Sequence, residues 1–257
     1  MSELNSYFRS ELNLRDLGGY VMEDGRRIKS GMIYRSGGLF LMNESEIEHL
    51  NALHLRTILD LRTQTEASRR QDPLPQGVQY LQASGVLNKY GKEIDFSPSG
   101  MRQNGEEGKA QLSSLKHYYM EMPYDNGAFH LLFEELLKQA APLLFHCASG
   151  KDRTGVAAML VMKALGAGDE VTIQDYMLSN VYRRHLIEKA ELKDGEEMKN
   201  DPVFAELIHM QKGVSEEIGW MVLNGIIARS HSYEQFFQEQ YGLDSSKLNE
   251  LRNDYLE

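Results

Sequence analysis

The sequence predicts an α/β fold in which a central, mostly parallel sheet is flanked by helices and followed by a helical cap. Three observations support this prediction. Strand-like and helix-like stretches alternate over the first two-thirds of the chain, and the pattern after Asp169 is helical only. The apolar run Leu143-Leu144-Phe145-His146, typical of a buried parallel strand, leads directly into a glycine-containing loop and a further helix.

The individual elements follow from apolar periodicity. Strands are predicted at 32–35, 57–61, 79–83 and 143–146. A helix is predicted after Asn43, because Ile47, Leu50 and Leu53 recur at helical spacing. Further helices are predicted at 112–122, 126–140 and 154–165, the last of them closed by Gly166 and Gly168.

Polar and glycine-rich stretches predict where elements end. The stretch 86–110 contains several glycines and is predicted to be a long loop or lid. In the helical region after Asp169, breaks are predicted near Lys193-Asp194-Gly195 and near Asn200-Asp201-Pro202. We therefore expect a single domain, with an α/β core at about 1–168 and helices at about 169–257.

Composition excludes several classes of function. A net charge of −10 argues against nucleic-acid binding, since such proteins present an excess of Lys and Arg. The eight histidines are scattered and there is a single cysteine, so neither a metal site nor a cofactor is expected. No apolar run is long enough to span a membrane. A cytoplasmic location is the default expectation, with export not excluded.

The most informative segment is His146-Cys147-Ala148-Ser149-Gly150-Lys151-Asp152-Arg153-Thr154-Gly155. The small residues of this loop let successive backbone N–H groups turn inward and form an anion-binding nest, to which the following helix adds its positive end. The same field stabilises a thiolate on Cys147. Arg153 adds a planar fork that can hold two oxygens of a phosphoryl group through its transition state. We therefore expect phosphate or sulfate to bind in the loop.

These residues resemble the signature of the protein tyrosine phosphatase superfamily, H-C-x5-R-[ST]. The fuller string H-C-x-x-G-K-D-R-T-G is similar to the bacterial tyrosine/serine phosphatase branch, which includes enzymes that act on phosphoinositides. Other stretches that agree with that branch are 13–19, 34–37, 60–62, 175–176 and 179–180, with a looser likeness at 233–256. The resemblance implies a catalytic Cys147 and Arg153, and a phosphate-binding loop formed by Ala148, Ser149, Gly150 and Lys151.

The general acid is predicted from the same resemblance. Many superfamily members carry it on a Trp-Pro-Asp loop, but the single Trp220 is followed by Met221 and Val222. In the resembling branch, the aspartate at the position of Asp152 is the proposed acid. Alternatively, Asp152 anchors Arg153 or caps the helix. Asp60, at the end of a predicted parallel strand, is the second candidate, unless it pairs with Arg62 or Arg15.

Three further residues are predicted to support the loop. We expect His146 to hydrogen-bond to backbone and order the loop, and the Thr154 hydroxyl to donate to the sulfur of Cys147 as it becomes a leaving group. Lys151 is expected on the rim, where a second phosphate of the substrate would lie.

The sequence therefore indicates a metal-independent phosphomonoesterase that works through a phosphocysteine intermediate. Phosphotyrosine in proteins is the first expected substrate, and a phosphoinositide is the rival. A phosphate-binding regulatory module with weak turnover is the alternative outside the enzyme class.

Overall fold

A computed structural model of the chain describes residues 6–86 and 108–257. A five-stranded sheet with strand order β1-β2-β5-β3-β4 forms its centre. The strands are β1 (Arg15–Asp16), β2 (Ile33–Ser36), β3 (Thr57–Asp60), β4 (Gln79–Gln82) and β5 (Leu143–His146). β1 is antiparallel to β2, and the other neighbouring pairs are parallel, which confirms the mostly parallel sheet. The two-residue β1 is too short to have given a sequence pattern.

The central position of β5 explains why its sequence is apolar. β5 lies between β2 and β3, and all four of its residues are buried. Its last residue, His146, is in register with Ser36 at the end of β2 and with Asp60 at the end of β3. Three parallel strands thus end at one edge of the sheet, which is where ligands of such sheets bind.

Helices flank this sheet and make up the whole C-terminal region of the fold. They are α1 (Glu44–Ala52), α2 (Gln64–Arg69), α3 (Gly108–Glu121), α4 (Gly127–Leu137), α5 (Arg153–Leu165), α6 (Asp169–Tyr182), α7 (Arg184–Asn200), α8 (Pro202–Lys212), α9 (Glu216–Ser230), α10 (Tyr233–Tyr241) and α11 (Ser245–Tyr255). The predicted α/β arrangement with a helical C-terminal part is confirmed. In the described residues, we find no helix whose length and apolar character would let it cross a membrane.

The helix α5 begins at the end of the predicted loop and lies in the middle of the core. Every residue after Arg153 in this helix is buried, and Gly166 ends it with a φ of 96°. The buried cluster around it combines the sheet residue Phe145 with Phe236 of α10 and Leu251 of α11. The helix that carries the loop is therefore fixed from several sides.

Of the two breaks predicted in the C-terminal helices, the structure contradicts one and confirms the other. The break expected near Lys193-Asp194-Gly195 is wrong, because α7 continues through Gly195 to Asn200. A single glycine costs a helix only about 1 kcal/mol, and the flanking Glu and Lys residues are good helix formers. The break near Asn200-Asp201-Pro202 is confirmed, since the Asp201 side chain caps α8 and Pro202 is its first residue.

Helix α2 was not predicted, although its start carries a capping box formed by Thr63 and Glu66. Of the loop or lid predicted at 86–110, residues 87–107 lie outside the described residues, and α3 begins at Gly108.

Candidate active site

The loop from Cys147 to Asp152 connects β5 to α5 at the edge where the parallel strands end. Cys147 follows the last strand residue and is 1% exposed. Arg153 is the first residue of α5, so the loop also ends at the N-terminus of a helix. The strand, the loop and the helix are arranged as the sequence predicted.

Gly150 is the residue that lets this loop turn. Its φ is +68°, in the left-handed region that favours glycine. A Cβ added to it would lie 2.5 Å from the backbone nitrogen of Gly37. Both the backbone conformation and the close approach of the two chain segments therefore require glycine here.

Hydrogen bonds from behind the loop fix the direction of its carbonyl groups. The Gly150 carbonyl accepts from Asn13 Nδ2 at 2.8 Å and from Arg35 Nη2 at 3.0 Å. The Ala148 carbonyl accepts from the backbone N–H of Gly38 at 3.2 Å. In a trans peptide the N–H of the next residue points opposite to the carbonyl. The N–H groups of Ser149 and Lys151 therefore point to the other side, into the loop.

The backbone N–H groups of residues 148–152 form a set of donors. Among the described residues, none of them donates a hydrogen bond. Polar backbone groups at a protein interior require partners, and converging N–H groups at a helix N-terminus bind anions. This geometry supports the predicted phosphate-binding loop.

A buried ion-pair network stands behind the loop. The Asp175 carboxylate accepts from Arg15 Nε at 2.8 Å and from Arg35 Nη1 at 2.5 Å. Burial acts to raise the pKa of Asp175, but the charges and hydrogen bonds of the two arginines outweigh it and lower the pKa to about 2. Because Arg35 also donates to Gly150, the carboxylate keeps that arginine in position for the loop.

This network explains several stretches that the sequence singled out without a role. Asn13 donates to Gly150 and also to Ser179 Oγ at 3.2 Å. Tyr176 packs where a Cβ on Gly155 would lie 2.9 Å from its ring. The hydrogen-bonded partners of Asn13 and Arg35 are separated from them by more than a hundred positions in the chain, as in the Arg35–Gly150 bond with a separation of 115. No local pattern could have paired them.

Arg153 is held by Glu66, a residue that sequence reasoning missed. Arg153 Nη1 and Nη2 donate to the two Glu66 oxygens at 2.6 and 2.9 Å. Burial acts to lower the pKa of Arg153, but the charges of Cys147 and Glu66 outweigh it and raise the pKa above its usual value. Burial acts to raise the pKa of Glu66, and the hydrogen bonds from Arg153 lower it overall. The capping box at Thr63 was the available signal for Glu66.

Asp152 lies at the mouth of the loop with its side chain 28% exposed. Its carboxylate accepts hydrogen bonds from the Tyr119 hydroxyl and, at 2.8 Å, from Lys151 Nζ. It makes no side-chain cap of α5, and the partner of Arg153 is Glu66. The two structural alternatives considered for Asp152 are therefore not what the geometry shows.

Lys151 is less exposed than the sequence suggested. The residue is 5% exposed, and its Nζ donates to the Met210 carbonyl at 2.6 Å as well as to Asp152. An ammonium group has three donors, so one remains for a ligand. The alternative of a solvated surface charge does not fit, because α8 covers the side chain, and the rim position and phosphate binding by Lys151 stay predictions.

His146, directly before Cys147, and Thr154, in the first turn of α5, are both fully buried. His146 Nδ1 lies 3.3 Å from the Cys147 carbonyl, the backbone contact expected of it. The Thr154 hydroxyl has no hydrogen-bond partner among the described residues. It is therefore available to a group that reaches the loop, and its donation to the cysteine sulfur stays a prediction.

The whole described site lies inside the stretch that comparison with known proteins assigns to one family. A sequence model of the tyrosine phosphatase family matches residues 7–257. The chain belongs to the tyrosine phosphatase family.

Curated relatives share part of this sequence. A protein of Cupriavidus necator named as a tyrosine-protein phosphatase is 30% identical over 169 residues, 65% of this chain and 60% of the relative. The triple specificity protein phosphatase PtpB of Mycobacterium tuberculosis is 28% identical over 187 residues, 65% of this chain and 66% of the relative. A tyrosine-protein phosphatase of Nostoc commune is 24% identical over 157 residues, 60% of this chain and 50% of that protein. The chain thus spans less than two thirds of the length of these relatives.

The second acid candidate, Asp60, is a fully buried ion-pair partner. It accepts from Arg62 Nη2 at 2.7 Å and from the Tyr80 hydroxyl at 2.7 Å. Of the two arginines considered for it, Arg62 is the partner, and Arg15 pairs with Asp175 instead. Burial acts to raise the pKa of Asp60, but the bonds from Arg62 lower it overall. A buried carboxyl with a lowered pKa is poorly suited to donate a proton.

The same region of the chain contains a set of groups with metal-ligand spacing. One ligand atom each from Asp60, Asp72 and His146 lies within 4.8 Å of the others. Arg62, however, donates to both carboxylates and supplies their counter-charge. The cluster therefore fits an ion-pair network that supports the strand ends, and the expectation of a metal-free site stays a prediction.

Proposed function

We propose that this chain is a cysteine-dependent protein tyrosine phosphatase that hydrolyses phosphomonoesters through a phosphocysteine on Cys147. The observation that carries this proposal is the loop itself. It combines inward backbone N–H groups, a cysteine at its start and an arginine at its end, all on rigid elements. A phosphate group fits all three, because the N–H groups and the arginine can bind its oxygens and the cysteine can attack its phosphorus.

In the proposed first step, the Cys147 thiolate attacks phosphorus. An S–P bond forms, the P–O bond to the leaving group breaks, and the departing oxygen takes a proton from Asp152. The loop N–H groups and Arg153 stabilise the charge of the equatorial oxygens. In the second step, water attacks phosphorus, its proton returns to Asp152, and the S–P bond breaks to release phosphate and the thiolate.

The surroundings of Asp152 support its role as the acid. Its partial exposure lets it reach a leaving group, while bonds from Tyr119 and Lys151 hold its orientation. Thr154, with an unpartnered buried hydroxyl, is suited to donate to the sulfur in the second step. His146 orders the first peptide of the loop.

For the substrate, we propose phosphotyrosine in proteins first. The relatives named as tyrosine-protein phosphatases favour it. A phosphoinositide is the second candidate, favoured by the remaining donor of Lys151 and by the relative named for triple specificity. We also propose a cytoplasmic location, which is the default expectation from the sequence.

Trapping of the covalent intermediate tests the mechanism. After rapid acid quench of a reaction with 32P-labelled phosphotyrosine peptide, the label should be found on wild-type protein and be absent from Cys147→Ser. The serine variant should fold and bind phosphate analogues, but its turnover should fall by about 10⁴-fold or more, because an alcohol is a far weaker nucleophile. Turnover of Cys147→Ser within tenfold of wild type would contradict the mechanism. Weak turnover without label would favour the binding module.

A series of kcat/KM values on phosphotyrosine, phosphoserine and phosphoinositide substrates then ranks the substrates. Added chelator should leave these values unchanged, because no step uses a metal. A loss of activity with chelator, restored by a divalent cation, would contradict the metal-independent reaction.

A further inference from the structure

A second arginine beside the loop, Arg183, has no assigned role so far. It lies between α6 and α7 and is 8% exposed. Its Nε donates to the Lys212 carbonyl at 2.8 Å, and its backbone N–H donates to Ser179 at 3.0 Å. The side chain is therefore fixed at both ends of its stem.

Unlike Nε, the two outer nitrogens of Arg183, Nη1 and Nη2, have no hydrogen-bond acceptor among the described residues. Neither Nη1 nor Nη2 forms a hydrogen bond or an ion pair with any described residue. A guanidinium group has five N–H donors, and the two Nη atoms of Arg183 are not fully enclosed by the protein. Their donors are therefore open to solvent and to an anionic partner from outside the chain.

The position of Arg183 places this fork beside the phosphate loop. Lys151 Nζ bonds to the Met210 carbonyl, and Arg183 Nε bonds to the carbonyl of Lys212, two residues further in the last turn of α8. Asn180 bonds both backbone groups of Val214 and ties the next segment to α6. One turn of α8 therefore holds both cations.

Electrostatic coupling agrees with this placement. Burial lowers the pKa of Arg183, and the charges of Asp152 and Cys147 act in the opposite direction. The guanidinium group of Arg183 therefore interacts electrostatically with Asp152 and Cys147. Lys151 and Arg183 carry two positive charges, which face the charges of Asp152 and of a Cys147 thiolate, while Arg153 is matched by Glu66. Because the Nη atoms of Arg183 have no partner among the described residues, they can bind a second anion.

We propose that Arg183, together with the free donor of Lys151, forms a second anion subsite that binds a further phosphate group next to the scissile one. This inference rests on the proposed phosphatase function and concerns its second substrate candidate, a polyol carrying phosphates on adjacent carbons. The planar fork of Arg183 binds such a phosphate through two oxygens.

The test compares two substrates in two variants. Arg183→Met removes the fork and keeps an unbranched stem, and Arg184→Met is the matched control, because Arg184 is the exposed neighbour. For a soluble inositol bisphosphate with adjacent phosphates, kcat/KM of Arg183→Met should fall about tenfold to a hundredfold, the range of a charge-assisted contact. For the corresponding monophosphate the loss should stay below about threefold. Arg184→Met should match wild type on both.

Two outcomes would overturn the subsite. Equal losses on the bisphosphate and the monophosphate would make Arg183 a structural residue, and no loss on either would leave it without a role in binding. A third arm presents the same headgroup on a short-chain lipid in micelles. A dependence on Arg183 seen only with the lipid would assign the effect to attraction by the lipid surface and would also overturn the proposal.

A binding measurement separates failure of the subsite from failure of the proposed function. In the Cys147→Ser background, titration calorimetry with the inositol bisphosphate should give a Kd that rises about tenfold or more on Arg183→Met, with little change for inorganic phosphate. If wild type lacked turnover while this difference persisted, the proposed function would fail and the subsite would stand. If turnover were present without the difference, only the subsite would fail.

Discussion

The back and the front of the phosphate loop hold their charges in different ways. Behind the loop, Asn13, Arg35 and Asp175 are at most 1% exposed, and two of them bond the Gly150 carbonyl. At the front, the side chains of Arg153 and Asp152 are 13% and 28% exposed and bond other side chains. The back is thus a fixed support for the backbone, whereas the front consists of groups whose partners a ligand can replace.

This difference follows from the cost of desolvation. A buried ion pair repays that cost only when further hydrogen bonds satisfy its remaining groups. The Arg15, Arg35 and Asp175 network meets most of this condition, because Arg15 also donates to Asn13 and Arg35 also donates to Gly150. Arg35 Nε alone is buried without a partner among the residues of this network. Such a network sets the shape of the loop before any ligand arrives, as preorganised catalysis requires.

The largest effect at the front is expected from Arg153→Lys. A lysine cannot keep the bidentate bond to Glu66 or the two-oxygen grip on a trigonal phosphoryl group, so kcat should fall at least about 10²-fold. Steady-state kinetics on phosphotyrosine peptide measures it.

The matched control is Arg229→Lys, since Arg229 forms a similar pair with Glu121 on the surface and is 41% exposed. This control should leave kcat unchanged. A loss for Arg153→Lys confined to KM would mean that the arginine binds only the ground state.

A second comparison sets the exposed Asp152 against the buried Asp60. Asp152→Asn should lower kcat about 10²-fold for phosphotyrosine, whose leaving group needs a proton, and much less for aryl phosphates with activated leaving groups. Asp60→Asn should lower kcat for both substrates to the same extent, because it leaves the buried Arg62 without its main counter-charge.

A series of aryl phosphates of graded leaving-group acidity gives the measurement for both variants. If the dependence on the leaving group were found in Asp60→Asn and not in Asp152→Asn, the two roles would have to be exchanged. Circular dichroism on each variant shows whether a uniform loss reflects unfolding.

The back of the loop should respond mainly in stability. Asp175→Asn removes the carboxylate between two buried arginines, which should lower the free energy of unfolding by about 3–5 kcal/mol. Urea unfolding at neutral pH measures this change. Asp244→Asn is the matched control, because asparagine caps α11 about as well as aspartate and should leave stability unchanged.

The contribution of Asp175 to the free energy of unfolding should depend on pH. The pKa of Asp175 is lowered from 3.8 to about 2, so its charge favours the folded state by about 2 kcal/mol at neutral pH. That contribution is complete above the unfolded value of 3.8 and is lost as the pH falls towards about 2. The difference between wild type and Asp175→Asn should shrink over the same interval. A constant difference would show that Asp175 does not titrate there.

The sequence predicted what local chemistry determines. The strand β5, the loop with Cys147 and Arg153, and the helix α5 follow one another in the chain, so their order was visible as a pattern. The partners of the loop were not, because Arg15 reaches Asp175 over 160 positions. The Met210 partner of Lys151 was not visible for the same reason, since the helix that covers Lys151, α8, lies far along the chain.

The closeness of Gly150 to the segments behind it also has a consequence for folding. The hydrogen bonds that hold its carbonyl span 115 and 137 residues, and contacts over such distances form late because long stretches of chain must first be closed. The proposed anion-binding nest therefore forms only in the finished fold. An anion that occupies it binds the native chain alone and, at a hundred times its Kd, adds about 2.7 kcal/mol to the free energy of unfolding. Inorganic phosphate would then act as a chemical chaperone for this chain, and its binding reports that folding is complete.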